Sequence, residues 1–118
     1  MKEFALIFRT TPMEFSPTPE QAQQMMTSWM NWMNAIEKDG KLASRGSRLG
    51  VSNSKVIKPN NVVTNGPFTE IKEFINGFII VKVNSIDDAV EIAKLCPMVT
   101  GGGGNVEVRP TVSPEDNS

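Results

Sequence analysis

At 118 residues and 13.0 kDa the chain is the size of one ordinary domain, and a second domain has no room. Twelve basic residues against thirteen acidic ones leave a net charge of −1, so no global field draws in nucleic acid or an anionic membrane. One cysteine and no histidine exclude an internal disulfide, a thiol–imidazole nucleophile and the usual zinc sites, and neither a metal nor a cofactor is expected.

From the N-terminus, Phe4-Ala5-Leu6-Ile7-Phe8 is a continuous apolar run of strand formers that Arg9-Thr10-Thr11-Pro12 brings to an end. It predicts a strand over residues 3–9, buried on both faces. The run is far shorter than a signal-peptide core or a membrane span, so the expectation is a cytoplasmic protein without membrane association. After a loop over residues 10–17, Thr18-Pro19-Glu20-Gln21 is a helix start, with Thr18 as N-cap, Pro19 in the first turn and Gln21 placed to reach back. Ala22, Met25, Met26, Trp29, Met33 and Ile36 then fall on one stripe, and Gly40 follows as a left-handed terminator. Met30 and Trp32 lie off the stripe, so a second surface is expected to touch this helix. The plain reading is a methionine-rich core helix. The sharper one makes Trp29 or Trp32 a ligand-pocket wall, since methionine and tryptophan offer adaptable apolar surface.

Between Lys41 and Pro59 the apolar content drops, which predicts one or two short, exposed strands. Arg45 and Arg48, three apart, are expected on opposite faces there, as solvated edge residues that blunt edge pairing. Asn60-Asn61 reads as a turn and Val62-Val63-Thr64 as a brief extended segment. The stretch Asn65-Gly66-Pro67-Phe68-Thr69-Glu70-Ile71-Lys72-Glu73 follows, in which Asn and Gly tolerate positive φ and Pro67 forces a sharp bend. Phe68 supplies an apolar peg beside Glu70, Lys72 and Glu73. These three charges form either a solvated loop or the polar wall of a pocket in which a desolvated carboxylate becomes an acid, a base or an anchor. With no histidine present, any proton transfer would fall to a perturbed Glu, Asp or Lys.

Residues 77–83, Gly-Phe-Ile-Ile-Val-Lys-Val, predict a second strand with apolar residues on both faces. Ser85-Ile86-Asp87-Asp88 is a second capping pattern, and Ile86, Ala89, Val90, Ala93 and Cys96 give a helical stripe closed by Pro97. Cys96 on that stripe reads as a buried packing residue. Gly101 to Gly104 lack a phosphate-loop signature; they read as a place where the backbone passes close to another element or to the pocket. Residues 105–110 form the last strand, with Val106 and Val108 on one side and Glu107 and Arg109 on the other. Residues 113–118 are a polar tail, leaving 1–112 as one domain.

Strand, helix, strand, strand, helix, strand is the order of an α+β, ferredoxin-like split βαβ sandwich with an antiparallel sheet and both helices on one face. The strands at 3–9 and 77–83 should be central. Two helices cover only one face of the sheet, so the other is expected to be buried by a second copy across a two-fold axis.

The stretch from Asn65 to Glu73, then Asn76-Gly77-Phe78, Ser85-Ile86-Asp87-Asp88-Ala89, Ala93, Cys96-Pro97 and Glu107-Val108-Arg109-Pro110, resembles the YCII-related proteins, in particular the branch named for an Asp-Gly-Pro-Phe motif. The resemblance runs over nearly the whole chain and implies a dimeric α/β barrel. A His-Asp pair proposed for the founding branch does not carry over, because there is no histidine, and Asn65 stands where the motif has its aspartate. Glu70, Lys72 and Glu73 match the family pattern. Arg109 matches its terminal Val-Arg-Pro and is a candidate ion-pair partner for them.

Three functional readings stay open. The first is a homodimer binding a small molecule in a cleft beside the turn, with Asn65, Phe68, Glu70, Lys72, Glu73, Trp29 and Arg109 as candidate contacts. The second is an enzyme using a carboxylate on a small metabolite, and the third a protein-interaction or regulatory subunit. No basic stripe interleaved with aromatics points to nucleic acid.

Overall fold

Alternation along the first strand sets up the whole architecture. In β1 (Lys2–Thr10) Phe4, Leu6 and Phe8 are buried on one face, while Ala5, Ile7 and Arg9 are half-buried on the other. The computed structural model describes residues 1–10, 18–50, 54–65 and 74–114. Along the chain β1 is followed by α1 (Pro19–Lys38), β2 (Leu42–Arg48), β3 (Lys55–Lys58) and β4 (Val62–Asn65). Then come β5 (Phe74–Val83), α2 (Ile86–Lys94), α3 (Pro97–Thr100) and β6 (Gly104–Pro110).

Four strands form one antiparallel sheet in the order β2-β5-β1-β6, the ferredoxin-like order, with the two most apolar strands central. Leu6 lies opposite Ile79 on one side and Val108 on the other, so the buried row continues across three strands. The helices lie on that face. The Trp32 indole N–H of α1 donates to the Ile92 carbonyl of α2 at 3.1 Å, satisfying the one polar atom of a buried ring and tying the helices together. Leu6, Ile79, Val81 and Cys96 are fully buried at the centre of this core.

The helix ends form as their sequences dictate. Thr18 Oγ1 accepts from the Gln21 N–H at 3.1 Å, and the Gln21 side chain accepts from the Thr18 N–H at 3.0 Å. At the other end Gly40, at φ +71°, donates to Glu37 O while Lys41 donates to Ile36 O, the paired bonds of a Schellman motif. Ser85 caps α2 by accepting from the Asp88 N–H at 3.3 Å.

Three expectations are corrected. The stripe on α1 is buried only in its second half: Trp32, Met33 and Ile36 are in the core and Trp29 packs against it, but Met25 and Met26 are exposed. A 20-residue helix is about 30 Å long, so its first half carries the apolar stripe out past the core. Trp32, off the predicted stripe, is buried because α2 provides the second surface. Pro97 does not simply close a helix ending at Cys96, because α2 stops at Lys94 and Pro97 opens the four-residue α3, where its missing N–H costs nothing. Arg45 and Arg48 are not on opposite faces. Ser44 pairs with Ile80 and Ser47 with Phe78, so a bulge at Gly46 adds one residue and returns both arginines to the helical side, where Arg45 pairs with Glu37.

β3 and β4 form a separate hairpin around a Pro59–Asn61 turn in which Asn60 and Asn61 both have positive φ. Ile57 lies opposite Val63, and both are exposed. An isolated two-stranded hairpin is marginal in water. The radius of gyration is 16.1 Å against about 13–14 Å for a compact chain of this length, and the extents are 46 × 41 × 18 Å. The chain is thin because, among the described residues, one layer of helices meets one sheet and nothing covers the sheet's other face.

Candidate functional site

The open face of the sheet can be read from its ladder. One row runs Ser44, Ile80, Ala5, Arg109 across the four strands, and the next runs Ser47, Phe78, Ile7, Glu107. Beyond the irregularity after Phe8, Ile75 and Asn105 flank Arg9. The two middle rows are therefore apolar across β5 and β1, with Glu107 and Arg109 on the β6 edge, Arg9 beyond Ile7 on β1, and Glu3 opposite Lys82 at the other end of the face.

Glu107 is in contact with both arginines. A carboxylate oxygen of Glu107 lies 3.0 Å from an Arg9 guanidinium nitrogen, and its other oxygen lies 3.7 Å from Arg109 Nε. The arrangement follows from strand geometry. Glu107 faces Ile7, so Arg9 two residues along β1 is its diagonal neighbour, and Arg109 is two residues along its own strand. The side chains of Arg9 and Glu107 are only 32% and 38% exposed, whereas that of Arg109 is 67% exposed. Two guanidinium groups against one carboxylate leave an excess positive charge beside an apolar surface.

The residues singled out in the sequence do not all meet there. Arg109 does, and its partner among the described residues is Glu107. Asn65 ends β4, and its side-chain oxygen accepts from the Lys55 ammonium across the hairpin. Phe68, Glu70, Lys72 and Glu73 lie outside the described residues. The chain that follows them enters the sheet at Phe74, opposite Thr10 and next to the pair of Ile75 with Arg9, which is the end of the face that bears Arg9. Trp29 does not share the face of Arg109. Its ring stacks edge-on against Phe8 with centroids 4.8 Å apart and lies 5.3 Å from Trp32, on the helical side of the sheet. Helical spacing identifies an apolar stripe without telling which layer it meets.

Arg9 and Glu107 were not singled out by the sequence. Arg9 reads there as the end of an apolar run, yet its spacing from Ala5 and Ile7 places it on their face. The signal was the period of two carried one residue further.

Elsewhere the described residues offer less. A groove of about 620 Å³ runs along Glu20, Gln23, Gln24, Thr27 and Ser28, all on the polar flank of α1. No three carboxylate, thiol or imidazole groups converge as metal ligands among the described residues. Cys96 is buried under α3, and burial pushes its thiol pKa up, partly opposed by backbone hydrogen bonds from Met98 and Val99. It is a packing residue rather than a nucleophile. No described helix is long and apolar enough to cross a membrane.

The YCII-related domain profile matches residues 3–112. The chain belongs to the YCII-related family. No curated protein sequence matches it. Among solved structures this YCII-related chain is similar to the 5-chloro-2-hydroxyhydroquinone dehydrochlorinase of Burkholderia phenoliruptrix AC1100, determined in complex with 2,5-dihydroxybenzoquinone. The TM-score is 0.50 at 16% identity, over 98% of this chain and 99% of the other. At that identity the likeness speaks for the shared fold alone.

Proposed function

We propose that this YCII-related protein is a cytoplasmic homodimer that binds a small molecule in a cleft on the open sheet face, beside the Asn65–Glu73 turn. Residues 1–112 act in this reading as one functional domain and 113–118 as a tail. The observation that carries it is the uncovered apolar face of Ala5, Ile7, Phe78 and Ile80, bordered by the Arg9–Glu107–Arg109 cluster. An apolar floor with a few convergent polar groups is the usual composition of a ligand pocket. A second copy facing it would supply the missing wall and bury the apolar rows. Asn65, Phe68, Glu70, Lys72 and Glu73 would border the cleft where the chain enters β5, with Arg109 at the β6 edge; Trp29 stands outside it. The dehydrochlorinase of similar fold holds a small cyclic ligand, which is in keeping with this use of the architecture.

The test joins light scattering with a thermal-shift screen against a broad metabolite set, with Glu70→Ala run beside the wild type. A dimeric mass is expected, and a ligand at a hundred times its dissociation constant should add about 2.7 kcal/mol of stability, with the shift reduced in the variant. A monomeric mass at micromolar concentration, or no shift from any compound, would refute the reading. The exposed apolar pair Ile57 and Val63 of the β3–β4 hairpin favours a second reading, an interaction subunit that docks through this hairpin. Recovery of a specific partner that the double change Ile57→Ser and Val63→Ser abolishes would support it.

A further inference from the structure

We infer that Arg9 and Arg109 hold a small organic ligand through a single carboxylate group, with the ligand's apolar body lying on Ile7 and Phe78. This rests on the proposed cleft and names the class of molecule that fits it.

On the open face the ladder places Glu3 opposite Lys82 at one end, then Arg109 in the row of Ala5, Glu107 in the row of Ile7, and Arg9 beyond them, with Glu107 in contact with both arginines. Within the contacting cluster, two guanidinium groups against one carboxylate leave a surplus of one positive charge, which one ligand carboxylate balances and a phosphate dianion would overshoot. Guanidinium groups bind planar carboxylates through paired N–H donors, and their hold strengthens as water is excluded. Arg9 is already only a third exposed and sits among Ile7, Ile75 and Phe78.

The second observation concerns how loosely the cluster is closed. Arg109 Nε stands 3.7 Å from Glu107 Oε2, beyond hydrogen-bond distance, so this pairing leaves the guanidinium able to take another acceptor. Glu107 is thus an internal stand-in: it occupies the position between the arginines that a ligand carboxylate would share, and it competes with it. The apolar neighbours supply the other half of the recognition. Ile7 and Phe78 lie opposite one another on β1 and β5, and Ile7 lies opposite Glu107, so a flat hydrocarbon body on Ile7 and Phe78 directs its carboxylate toward the arginines. Aromatic carboxylates match this layout of apolar floor and cationic edge.

The experiment uses the full chain and isothermal titration with benzoate, phenylacetate and cinnamate, each beside its primary amide. The carboxylates are expected to bind about tenfold or more tightly than the amides, the scale of one charge-assisted contact. Arg9→Gln and Arg109→Gln should erase that preference. Arg9→Lys, which keeps the charge without the planar fork, should retain part of it, and a native circular dichroism spectrum is required of each variant. Glu107→Gln should tighten carboxylate binding several-fold, a gain that neither a misfolded protein nor a purely structural ion pair would give. Equal binding of acids and amides overturns the carboxylate role and leaves the cleft standing. Tighter binding of inorganic phosphate than of any carboxylate overturns the ligand class. No response to any probe overturns this inference, and a dimer that still answers the metabolite screen would show that the cleft survives it.

Discussion

Gly46→Ala tests whether the bulge in β2 is a requirement of the fold or an accident of it. Gly46 has φ +58°, and a Cβ built there would lie 1.8 Å from the Phe78 carbonyl oxygen and 2.7 Å from its carbonyl carbon. Both are backbone atoms of β5, so no side-chain rotation relieves the overlap. β2 would have to move away by on the order of an ångström, enough to break ladder hydrogen bonds to β5. The left-handed conformation costs an alanine about 1–2 kcal/mol, and each ladder bond lost about 1 kcal/mol more. A total near 3–4 kcal/mol is expected. Gly40→Ala is the control, since Gly40 is also left-handed, at φ +71°, but a Cβ there has nothing within 4 Å. It should cost only the conformational part, about 1–2 kcal/mol. Urea melts of both variants and the wild type at one protein concentration measure the difference directly, since the linear slope should stay unchanged. If Gly46→Ala is no more destabilising than Gly40→Ala, the close approach of β2 to β5 is not a constraint and the bulge reasoning fails.

Other outcomes follow from the same packing. Trp32→Phe removes the 3.1 Å bond to the Ile92 carbonyl and part of a buried ring, and should cost about 1–3 kcal/mol in denaturant melts; a neutral result would mean the two helices are not joined there. Burial raises the Cys96 pKa, so at a given pH less thiolate is present in the folded protein than in an unfolded chain. A thiol reagent at pH 8 should therefore label Cys96 only as guanidinium unfolds the protein, and rapid labelling of the native state would contradict its placement. Ser85→Ala should lower global stability by about 1 kcal/mol because α2 packs on the sheet from Ala89 onward. Thr18→Ala removes an equally good cap from the exposed half of α1, so its loss should appear as faster amide exchange over residues 19–28, with a smaller change in the global melt.

Much of the fold was legible because it depends on local chemistry and simple periods. Thr18 and Ser85 cap where they were expected, Gly40 terminates α1, and the apolar runs around Leu6 and Ile79 occupy the two central strands. Continuous apolar character on both faces is what a central strand needs, and no knowledge of its neighbours is required to see it. The Asn60–Asn61 turn is legible for the same reason, since asparagine tolerates positive φ better than most residues. The last glycine of the run, Gly104, passes so near β1 that a Cβ would lie 2.3 Å from the Arg9 carbonyl oxygen, the close approach the run suggested.

The candidate site was legible only in part, because it is assembled across strands. Period-two alternation in residues 105–110 put Glu107 and Arg109 on one face, but that Arg9 would meet them depends on β6 pairing with β1 rather than with another strand. No local signal carries that choice. Trp29 and Arg109 looked equally suited to a pocket in the sequence, and only the layering of helices on one side of the sheet separates them. The shift of Arg45 and Arg48 to one face likewise needed a bulge, which arises because β2 must fit against the backbone of β5. Caps, turns and the burial of single strands were thus decided by residues and their near neighbours. Which charges meet on the open face was decided by strand order and register, since those bring together residues nearly a hundred positions apart.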